Sequence, residues 1–219
     1  DHYRVTADLN RTLEGPFAGT AVRLNVMGEG GGVAGRDWVE NRSWGIAPSL
    51  AVGLGTDTRT YLYYLHMRQE NRPDGGIPTV GLPGYYAAAL DSAGIQARKV
   101  DTSNYYGSLS DFDDVTADML TARFEHDFSA ALKLKNTTRW GYTEQFRSTT
   151  SIISPTFTNV NDPSTWTVSR NRGDGTNRQS DGGQSKLQTN EVITNQTNLT
   201  AAFATGFVQH ALSTGVEFI

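Results

Sequence analysis

The chain has no cysteine among its 219 residues. Disulfide frameworks and thiolate metal sites are therefore excluded, while the compartment stays open. Long apolar runs are missing too: nothing approaches the roughly 18 residues that suggest a membrane-crossing helix. The net charge is only -4, a balance that gives no argument for nucleic acid as a partner. Helical periodicity is scarce; only YYAAALDSA at residues 85–93 fits a short helix inside a loop. No leader pattern stands at Asp1, as expected of a mature or excised chain. No GxSxG, HExxH or paired catalytic carboxylate pattern occurs, so no enzyme is expected.

What is present is a period of two. In WGIAPSLAVGL, large residues (Trp44, Ile46, Leu50, Val52, Leu54) alternate with Gly45, Ala47, Ser49, Ala51 and Gly53. Side chains that alternate across a pleat define a strand. A half-buried strand in water would carry charged or polar groups on its wet face, and here that face is merely small. Strand-like segments occur at 3–10, 21–28, 44–54, 59–69, 117–127, 131–142, 190–203 and 207–218. In 21–28 the division is sharp: Val22, Leu24 and Val26 against Arg23 and Asn25. Three places disturb the pattern. Pro48 cannot donate to a ladder and requires a bulge or a missing hydrogen bond. Asn136 and Thr138 share a parity with Leu132 and Leu134, which spoils that apolar face unless a bulge intervenes. After Asp57, Tyr61, Tyr63 and Leu65 are as apolar as Leu62 and Tyr64, so neither face is marked.

The connections alternate in length. Short ones lie at 11–20, 55–58, 128–130 and 204–206, and long ones at 29–43, 70–116 and 143–189. Soluble sandwiches have no reason to gather every long loop at one end, whereas outer-membrane barrels pair short periplasmic turns with long extracellular loops. Loops beyond about 15 residues are uncommon in compact domains. The predicted fold is an all-β, antiparallel transmembrane barrel segment, with large residues toward lipid and small ones toward the lumen. A mean hydropathy of -0.45 is compatible with it, because spanning strands show only half their residues to lipid.

Other local motifs favour plain readings. GEGGG at 28–32 lacks the Lys-Ser/Thr and helix of a phosphate-binding loop. His2, His66, His126 and His210 have no zinc-ligand spacing, and the last two fall near short turns. DFDD at 111–114 lacks the ligand spacing and glycine of a calcium loop. Asn41, Asn136, Asn195 and Asn198 head N-x-S/T triplets that carry no meaning in a bacterial outer membrane.

RVTADLN at 4–10, AVRLNVM at 21–27 and GRDWVENRSWGIAPSLAVGLGTDTRTYLYYLH at 35–66 resemble the barrel of TonB-dependent ferric siderophore receptors. PDGGIPTVGLPGYY at 73–86 and TNLTAAFATGFVQHALSTGVEF at 197–218 are similar to the catecholate, Fiu/PiuA-like group. The resemblance covers most of the chain except 149–188. It implies a barrel of roughly 22 strands around a plug, of which this chain holds about eight, roughly the second to the ninth. No plug or TonB-box segment precedes Asp1, so the chain is expected to be one part of a longer receptor. The resemblance further implies a ferric siderophore as cargo, no resident cofactor, TonB, ExbB and ExbD as partners through an N-terminal region, and lipid and lipopolysaccharide around the barrel.

A ferric tris-catecholate is a bulky anion with aromatic faces, which calls for cations, rings and amides. Loop 35–44 offers Arg36 and Trp38, the end of the fourth segment offers Arg68 and Gln69, and the longest loops offer Tyr85, Tyr86, Tyr105 and Tyr106. Trp44, at a strand end, reads as an interfacial girdle residue. Two other classes remain open: a complete eight-stranded barrel with a structural or adhesion role, and a soluble β-domain whose long loops bind a ligand.

Overall fold

A computed structural model describes residues 1–172 and 184–219. Among the described residues nine strands form one antiparallel sheet: β1 (His2–Leu13), β2 (Thr20–Gly32), β3 (Glu40–Val52), β4 (Thr58–Arg72), β5 (Phe112–Ser129), β6 (Leu132–Phe157), β7 (Trp166–Arg172), β8 (Gln184–Thr205) and β9 (Val208–Phe218). The order is β1-β2-β3-β4-β5-β6-β8-β9, and β7 pairs with β6 off this path. A meander of this kind is the pattern of an up-and-down barrel. Among the described residues β1 and β9 do not pair with each other. The sheet is thus an open arc and not the closed eight-stranded barrel of the alternative reading.

All eight predicted segments are strands, and all but the last, β9, are longer than read. The largest differences lie in the third long connection, where β6 continues to Phe157 and β7 returns along it. Neither was expected, because RSTTS is polar on both parities and gives no periodic signal. The helix of the 73–111 loop is α1 (Ala88–Ser92), inside the predicted span. No helix among the described residues is long and apolar enough to cross a membrane.

Register sorts the side chains onto two faces, because directly opposed residues share a side. One row runs Leu9, Leu24, Pro48 and another Tyr64, Leu120, Trp140, Ile193. This face is apolar and bare: Leu9, Val22, Val26, Leu62, Leu120 and Ile193 are all exposed. The opposite face carries Asp8 with Arg23 (2.5 Å), Arg59 with Glu125 (3.4 Å) and Asp127 (3.0 Å), and Arg123 at 4.1 Å above the Tyr61 ring. The unmarked fourth segment is thereby resolved: Leu62 and Tyr64 join the apolar face, Tyr61 and Tyr63 the polar one. Trp44 lies on the apolar face, half exposed, with its ring centroid 4.9 Å from that of His66, where a girdle residue belongs.

The other irregularities resolve differently. The β3–β4 ladder skips Ala47 and Pro48 and resumes in the same register, so Pro48 costs a pairing and creates no bulge. No bulge intervenes at Asn136 and Thr138; β6 is in unbroken register there, and the β5–β6 shift lies at Asp127/Ser129. Polarity is met by a ladder instead. The Asn136 Nδ2 donates to Asn195 Oδ1 (3.1 Å) and Thr197 Oγ1 (2.7 Å), and Asn195 Nδ2 donates to Asn136 Oδ1 (3.2 Å) and Thr138 Oγ1 (2.7 Å). Each amide uses both of its N–H donors. The four polar side chains satisfy one another, so they can lie among apolar neighbours without the 1–3 kcal/mol, roughly, that an unpaired buried donor costs.

The buried hydrophobic residues among those described, Val39, Val80 and Leu90, lie in the loops, not in the sheet. The accessible surface is 14258 Å², whereas a compact monomer of 23.9 kDa exposes roughly 10,000 Å². The excess is the two bare faces of the arc. Its folding needs partners for both.

Candidate functional site

Every long connection opens at the same end of the sheet, where β2 runs into β3, β4 into β5 and β6 into β8. Residues 33–39 form the first loop. Its backbone closes with Val33 N–H on Val39 O and Arg36 N–H on Val33 O, both 3.1 Å. Two residues take left-handed conformations: Gly35 (φ 72°), which does so freely, and Trp38 (φ 62°), for which the geometry costs about 1–2 kcal/mol. Among the described residues Trp38 is the one non-glycine residue with positive φ, and its side chain stands 61% exposed. Strain of this kind persists where the surroundings over-determine it. Here Arg72 Nη1 donates to Trp38 O (3.1 Å), Asp37 N–H donates to Ser103 O (2.8 Å), and Val39 is buried.

The 73–111 loop is anchored at its base by Asp111. This buried carboxylate accepts from Thr150 N (2.9 Å), Thr150 Oγ1 (2.9 Å) and Ser108 N (3.0 Å). The anchor ties the loop to the extension of β6 that sequence reading had placed in a loop. Tyr105 donates its hydroxyl to Ser108 O at 3.1 Å and reaches Asp111 Oδ2 at 3.3 Å. Burial, then the Asp111 charge, push its phenol well above the ordinary tyrosine range. Tyr105 is a structural post. Tyr106 donates to Asp101 O (3.0 Å) within the loop. Tyr85 and Tyr86 line a cleft of about 640 Å³ with Leu82, Leu90 and Gln96; burial raises the phenol of Tyr85, and Tyr86 is 72% exposed.

The remaining predicted site residues divide by face. Gln69 pairs with Ser43 and Val115 on the polar face. Arg68 opposes Trp44 and Thr116 on the apolar face and gives its Nε to Glu70 at 2.8 Å, so it does not converge with Gln69. Arg36 does reach the mouth, but its guanidinium is committed: Nε and Nη2 fork onto Asp74 (2.7 and 2.6 Å) and Nη1 donates to Thr102 O. In the DFDD stretch Asp111 is filled by protein donors and Asp113 accepts from Gln145 Nε2 (2.8 Å); no metal-ligating cluster occurs among the described residues.

Known proteins place this geometry. No protein-family model matches the chain. The catecholate siderophore receptor Fiu of Escherichia coli K12 is 47% identical over 98% of the chain and 27% of its own length. The crystal structure of that ferric-catecholate import receptor in its closed form superposes with a TM-score of 0.83 at 46% identity, covering 99% of this chain and 29% of the other. The probable TonB-dependent siderophore receptor PiuA of Acinetobacter baumannii is 30% identical over 100% of the chain and 26% of its length. The chain matches a segment of TonB-dependent siderophore receptors. It spans about a quarter of the length of the curated relatives it matches.

The sequence reading missed two cations on the polar face at the loop end of the sheet. Arg147 opposes Asp113 on one side and Lys186 on the other, one row above Gln69, Gln145 and Gln188. The Nε of Arg147 is buried without a hydrogen-bond partner among the described residues, and Lys186 is exposed. A buried unsatisfied donor on a charged group is a candidate for an outside acceptor. Both residues fell in the supposed loop 143–189, and only the pairing of β6 with β8 puts them together.

Proposed function

We propose that this chain forms part of the wall and mouth of an outer-membrane receptor of a Gram-negative bacterium that captures and imports ferric catecholate siderophores. The observation that supports it most is the 47% identity to a catecholate siderophore receptor along 98% of the chain. The mouth fits the cargo: a ferric tris-catecholate is anionic with exposed aromatic faces, and Arg147, Lys186, Gln69, Trp38 and Tyr86 offer cations, an amide and rings. In this reading the apolar face meets lipid and, at its outer margin, lipopolysaccharide. The polar face lines the lumen. Iron is carried as cargo inside the siderophore, with no cofactor and no catalysis by this segment. TonB, ExbB and ExbD act through regions outside it.

The test is ligand binding by the purified full-length receptor. Charge-assisted contacts to an anion are worth about 1.5–3 kcal/mol each, so Arg147→Ala should weaken binding of a ferric catecholate roughly ten- to a hundredfold. Lys186→Ala, at an exposed position, should lose less. Unchanged affinity in both variants would remove these cations from the account.

A further inference from the structure

We infer that Arg36 and Asp74 form a clasp that joins loops 33–39 and 73–111 into one body, and that this clasp, not a direct contact from Arg36 to cargo, holds Trp38 at the mouth. The inference rests on the siderophore reading for the meaning of the mouth, and on geometry for the clasp itself. The fork is bidentate, with N–O distances of 2.6 and 2.7 Å across 38 residues of sequence. The third guanidinium contact, to the Thr102 carbonyl, grips the far side of the same loop. The Arg36 side chain is only 14% exposed, and a planar guanidinium saturated in this way has little left to offer a ligand. Asp74 is fixed in turn, since its Oδ1 accepts from Gly76 N at 2.9 Å. A second tie runs parallel, from Asp37 N–H to Ser103 O at 2.8 Å. Trp38 follows directly, in its left-handed conformation with the indole exposed. The ring is therefore displayed by a loop whose geometry the neighbouring loop imposes.

The two roles of Arg36 predict opposite effects of one substitution. If Arg36 bound the anion directly, Asp74→Asn would free it and leave affinity unchanged or tighter. If Arg36 acts through the clasp, Asp74→Asn should weaken binding as Arg36→Met does, each about tenfold or more. The double variant should then be no worse than either single one, because both break the same contact. The experiment uses the full-length receptor, titrated with iron(III) tris-catecholate, together with spin labels at Ala34→Cys and Asn104→Cys in a chain segment that has no native cysteine. The clasp predicts one narrow label-to-label distance without ligand, broadened by Arg36→Met and by Asp74→Asn. An unaltered distance distribution, additive losses, or an affinity that holds in Asp74→Asn overturns the inference. Failure of the wild-type receptor to bind the probe would sink the cargo reading, and the distance measurement alone would then decide the clasp.

Discussion

Arg36 shows what a single residue discloses at each level. As a letter in GRDWVENRSW it is a cation beside two tryptophans, and a binding role is the natural reading. In the fold it is spent on Asp74 and Thr102, partners 38 and 66 positions away that no local pattern points to. Asp74 carries the pH dependence of this contact. Burial raises its carboxyl, while the Arg36 fork and the Gly76 N–H lower it by more, so it sits below its ordinary value of 3.8. A depressed carboxyl contributes order that is present above the ordinary value and is lost as pH falls through the depressed one. The two loops should therefore stay joined at pH 5 and separate only in acid below about 3.8. Spin-label distances recorded from pH 7 to pH 2.5 check this, and loosening that is complete by pH 5 would contradict it.

At the scale of elements, strands were legible wherever one face is apolar and the other small or charged, as in β2 and β3. They were hidden where pairing alone decides. The far half of β6 and all of β7 were missed because RSTTSIISPTF and TWTVSRNR show no clean alternation; each is a strand because the other is beside it. The polar ladder of Asn136, Thr138, Asn195 and Thr197 was not legible for the same reason: Asn136 and Thr138 only marred an apolar face until the second half of the ladder on β8 was in place. Face assignment makes a direct prediction. Leu50 lies in the apolar row with Val22 and Leu62, and Ala51 lies in the polar row with Ala21 and Tyr61. Leu50→Arg in the full-length receptor should cost about 2–4 kcal/mol if it lies near the bilayer midplane, and its level in the outer membrane should fall accordingly. Ala51→Arg should meet the lumen and be limited mainly by space. Equal loss at both positions, read by surface labelling and urea unfolding, would point to a packed core in place of a membrane wall.

For the whole molecule, the alternation of loop lengths was the most informative feature of the sequence, because it requires one end of the sheet to be elaborated and the other plain. The fold keeps that asymmetry: 33–39, 73–111 and the β6–β7 ribbon share one end, with tight turns at the other. An open arc with both faces bare and both edge strands unpaired is unsuited to water, and lipid does not tolerate open edges either. In the proposed reading, as one sector of a large closed barrel, it would have lipid on one side and the lumen on the other. The central claim, that the mouth of that barrel takes ferric catecholates, is tested most directly by uptake of radioactive iron into cells whose other siderophore receptors are deleted and which express the full-length receptor. The account predicts iron accumulation with a catecholate siderophore, abolished without TonB, and none above background with a hydroxamate. Accumulation with the hydroxamate alone would contradict it.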